Sequence, residues 1–83
     1  MNIFKSKAEK ELDCIILRLE MNMSNNYKDN AQDDLKELEA TFNVMKEGGE
    51  LKPSILTKYE TILAEYQSKM RGYSHKDQKP YWT

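Results

Sequence analysis

The sequence predicts an all-α protein, a small antiparallel three-helix bundle, and three observations carry that expectation. Apolar residues recur every three or four positions in three separate blocks. Turn-forming residues divide the blocks at Ser24-Asn25-Asn26 and at Gly48-Gly49. No stretch alternates apolar and polar residues for long enough to suggest a strand. The alternative is a long two-helix hairpin that dimerises.

The first helix is expected over residues 4–23, where Phe4, Ala8, Leu12, Ile15, Ile16, Leu19 and Met23 form one stripe. The second, over 27–47, carries Tyr27, Ala31, Leu35, Leu38, Phe42 and Met45 at the same spacing. The third, over 53–71, carries Ile55, Leu56, Tyr59, Ile62, Leu63, Tyr66 and Met70. Glu, Lys, Leu, Ala and Gln, all strong helix formers, dominate the three segments.

The boundaries have their own chemistry. Gly48-Gly49 is expected to end helix two, because glycine accepts the left-handed conformation of a helix C-terminus. Pro53 suits the first turn of helix three, where its missing N–H would be unpaired anyway. Leu51 and Leu56 are then placed as a hydrophobic staple. Asn26, with Asp29 three residues on, resembles a cap for helix two. At about 100° per residue the stripes of helices one and two centre near ~100° and ~215°. One straight helix would wind that stripe around its surface, so a turn near Asn25 is expected. Gly72 is expected to end helix three, leaving residues 1–72 as the bundle and 73–83 as a basic, aromatic C-terminal tail.

Size and composition narrow the function. Eighty-three residues suggest a single domain with a thin core. The net charge of −1, from 13 basic and 14 acidic side chains, argues against generic nucleic-acid binding. One cysteine, Cys14, permits no intramolecular disulfide and suits a reducing compartment. The longest apolar run, Cys14–Leu17, is far short of the roughly 20 residues of a membrane span. No secretory signal pattern is read, and a cytoplasmic protein is expected.

Helix one breaks the pattern of the other two. Ile3, Cys14, Leu17 and Met21 form a second apolar stripe opposite Leu12, Ile16 and Leu19. Either this helix is the most enclosed of the three, or the stripe meets a partner, most economically a second copy in a symmetric homodimer.

Charge is uneven too. Residues 29–50 hold Asp29, Asp33, Asp34, Glu37, Glu39, Glu47 and Glu50 against Lys36 and Lys46, a net of −5. From Gln67 onward Lys69, Arg71, Lys76 and Lys79 face only Asp77, a net of +3. Such runs are usually solvated surface. With Trp82, those four cations are the set that would grip single-stranded nucleic acid, the alternative function. Tyr81 and Trp82 read better as an anchor for a groove, on this chain or on a partner.

The catalytic search finds nothing. His75 is the single histidine, and Cys14 sits mid-helix beside apolar residues. No spacing suggests zinc, calcium or a phosphate-cradling loop. No enzyme activity, cofactor, metal or small-molecule substrate is therefore expected. The sequence points to a cytoplasmic protein–protein interaction module of the adaptor, inhibitor or immunity type. Self-association through helix one is expected, with Ile3, Leu17, Met21, Tyr81 and Trp82 as the contact residues.

Overall fold

In a computed structural model, the backbone is described for residues 5–78 and the side chains for residues 5–71. Three helices follow one another: α1 (Lys7–Ser24), α2 (Lys28–Glu47) and α3 (Pro53–Gln78). The described residues contain no strand. The arrangement is the expected three-helix bundle.

Side-chain bonds fix the directions of the helices. Arg18 reaches Glu37 while Asn22 reaches Asp34, so α1 and α2 run antiparallel. Lys46 meets Glu60 while Gln67 meets Glu39, so α2 and α3 are antiparallel as well. Tyr59 bonds Asp13 and Tyr66 bonds Glu20, one heptad on in both helices, so α1 and α3 are parallel.

α1 starts on a capping box that sequence reading passed over. The Ser6 hydroxyl accepts from the Glu9 N–H at 3.2 Å, and the Glu9 carboxylate accepts from the Ser6 N–H at 3.1 Å. Two of the four orphan donors of the first turn are thereby satisfied. The described helix thus begins at Lys7 rather than at Phe4.

Both interhelical turns close in the same way. After α1, Asn26 takes a left-handed φ of 62°, its N–H bonds to Met23 O, and the Tyr27 N–H bonds to Asn22 O at 2.8 Å. After α2, Gly49 has φ of 70°, its N–H bonds to Lys46 O, and the Glu50 N–H bonds to Met45 O. Each is a Schellman motif, which satisfies carbonyls the helix end would leave bare. Asn26 therefore terminates α1 and does not cap α2, contrary to the expectation. The N-cap of α2 is Tyr27, with no side-chain bond. Asparagine suits either role, because its side chain tolerates the left-handed region as readily as it caps.

Gly72 corrects a second expectation. It lies inside α3, which continues to Gln78, so residues 73–78 are helical and not tail. One glycine costs a helix only about 1 kcal/mol against alanine, and no proline follows until Pro80.

The core is built from one stripe of each helix. α1 contributes Leu12, Ile15 and Leu19, α2 contributes Ala31, Leu35, Leu38, Phe42 and Met45, and α3 contributes Tyr59, Tyr66 and Met70. Leu51 is buried just before α3, and Leu56 packs against the same cluster, as the staple predicts. Among the described residues no Cα of α1 comes within 8 Å of one in α3. Tyrosine rings span that gap, with their bodies in the core and their hydroxyls on α1 carboxylates.

Candidate interaction surface on the first helix

Two sides of α1 are occupied by the bundle itself. Toward α2, Arg18 and Asn22 converge on Asp34, which is only 7% exposed. Arg18 Nε donates to one carboxylate oxygen at 2.8 Å and Asn22 to the other, while the far end of the guanidinium meets Glu37. A buried carboxylate needs such partners, because leaving it unpaired would cost on the order of several kcal/mol. Toward α3, Asp13 accepts from Tyr59 at 2.6 Å and from Lys5, and Glu20 accepts from Tyr66.

Those bonds set the protonation of the seam. Burial first, and the adjoining Asp13 second, push the Tyr59 hydroxyl well above its ordinary value. Burial and then Glu20 do the same for Tyr66. Partial burial alone would raise the Asp13 carboxyl. The hydrogen bonds from Lys5 and Tyr59, with the charges of Lys5 and Lys58, outweigh it and hold Asp13 below the usual carboxylate value. Asp13 thus keeps its charge on the α1 side, while Tyr59 and Tyr66 keep their protons on the α3 side.

The remaining side of α1 faces outward. Leu17 is 58% exposed and Met21 56%, and Cys14 is an exposed free thiol. Their spacing of three and then four residues puts them on one face, continued by Lys10 toward the N-terminus and by Ser24 toward the C-terminus, both exposed. Among the described residues neither α2 nor α3 covers this stripe, so there α1 is not an enclosed central helix. The other large exposed apolar groups among the described residues, Tyr27 and Val44, stand singly on the second helix and the turn before it. Scattered exposure of that kind is ordinary, whereas a row on one helix face is not.

The remaining sequence candidates fare unequally. Ile3, Lys79, Tyr81 and Trp82 lie outside the described residues, and Lys76 belongs to α3 in a part where side chains are not described. Lys69 places its ammonium 5.2 Å from the centre of the Tyr66 ring, a cation–π contact within the bundle. Arg71 lines a shallow cleft between α2 and α3 with Gln32, Lys36, Glu39 and Gln67, over a floor of Leu35 and Met70. Lys69 and Arg71, two residues apart on a helix, do not share a face. The described part of the basic set is thus not gathered into one patch.

A second cleft, of about 430 Å3, opens where the N-terminal ends of α1 and α3 meet. Its lysines, Lys5, Lys52 and Lys58, are offset by Glu9 and Glu50. Lys5 is engaged with Asp13 and Glu9 with the Ser6 cap. Among the described residues no group of three His, Cys, Asp or Glu side chains is placed to hold a metal ion, and no helix is long and apolar enough to cross a membrane. No family model matches the chain, and no curated protein or solved structure does either.

Proposed function

We propose that this chain is a small cytoplasmic protein–protein interaction module, without catalytic activity of its own, whose docking surface is the outer face of α1. One observation carries the reading. Cys14, Leu17 and Met21 stand bare in a row on the one helix whose other sides are taken up by Asp34 and by the two tyrosines. Little more than half of Leu17 and of Met21 remains exposed, so covering them gains roughly 1–2 kcal/mol each and favours association. The bare thiol of Cys14 fits a reducing compartment.

The occupant that asks for least is a second copy of the chain, because a symmetric pair covers both rows at once. The face is narrow, well short of the 20–30 residues a side of a stable interface, so the pair is reversible. Sedimentation equilibrium across a concentration series tests this. The mean mass should rise above 9.8 kDa with concentration, and Leu17→Glu should hold it there while leaving helical circular dichroism unchanged. A mass of 9.8 kDa up to about 1 mM, the concentration matching a binding free energy near −4 kcal/mol, removes self-association. Binding to single-stranded oligonucleotide that fades steeply with salt would instead favour the basic set around Arg71.

A further inference from the structure

We draw no further inference here: the strongest candidate, the exposed row of Cys14, Leu17 and Met21 on the outer face of α1, belongs to the surface already described, and with its charged neighbours Arg18 and Glu20 bonded within the bundle nothing in the structure shows what covers it.

Discussion

Asp34→Ala should break the polar joint of the α1–α2 seam. The wild-type carboxylate is nearly sealed from water and has one oxygen on Arg18 Nε at 2.8 Å and the other on Asn22. Truncation removes both bonds at once. Hydrogen bonds to a charged group are worth about 1.5–3 kcal/mol each. Arg18 is 48% exposed and keeps Glu37, so its share falls toward the surface range of about 0–1 kcal/mol. Asn22, half-buried, loses its acceptor outright. Together the loss comes to about 2–3 kcal/mol. Urea denaturation followed by circular dichroism measures it. With a slope near ~1 kcal/mol per molar for so small a domain, the midpoint should drop by about 2–3 M. Asp34→Asn should cost nearly as much, because one acceptor becomes a donor facing a donor. A loss below about 0.5 kcal/mol, within the range of an ordinary surface change, would refute the argument that this carboxylate joins the two helices.

Other perturbations test other parts of the structure. Tyr59 and Tyr66 hold their protons above the ordinary tyrosine value near ~10. The folded chain thus binds protons that the unfolded chain has lost, and stability is complete below about pH 10 and falls as pH rises beyond it. Replacing both by Phe should cost about 1–2 kcal/mol per site at neutral pH and flatten that alkaline decline in denaturation curves taken at pH 8 and 11. Asp13 has the opposite sign: its lowered value adds stability above about pH 4, lost as pH falls through that range, and Lys5→Ala should shrink the acid-side loss. Gly49→Ala should cost about 1–2 kcal/mol from the left-handed backbone alone, since nothing lies within 4 Å of an added Cβ, whereas Asn26→Gly should be neutral or stabilising.

The helices were legible because burial repeats with the helical period. Leu12, Ile15 and Leu19, or Leu35, Leu38 and Phe42, declare their common face without any knowledge of the partner helix. The second stripe of α1 was legible for the same reason, and Leu17 and Met21 are indeed bare on the outer side. Asp34 was not legible as a core residue. Its place between Ala31 and Leu38 hints at the inner arc, but whether an acid there is paired depends on Arg18 and Asn22, sixteen and twelve residues away. Tyr59 and Tyr66 were placed on the inner face of helix three, yet periodicity is silent on where a hydroxyl ends. Their bonds to Asp13 and Glu20 each span 46 residues of sequence. Ser6 and Glu9 did carry a readable signal, a serine followed three residues later by a glutamate. The turn at Asn26 was ambiguous in principle, since one asparagine can close a helix or open the next.

The reactivity of the native thiol tests the central claim without any mutation. Cys14 is exposed in the single chain and lies beside Leu17 in the row assigned to the second copy. Its rate of labelling by a small disulfide reagent should fall as the protein concentration is raised, in step with the gain in mass. A rate that stays constant while the mass doubles, or a mass that never rises, would contradict a docking surface on the outer face of α1.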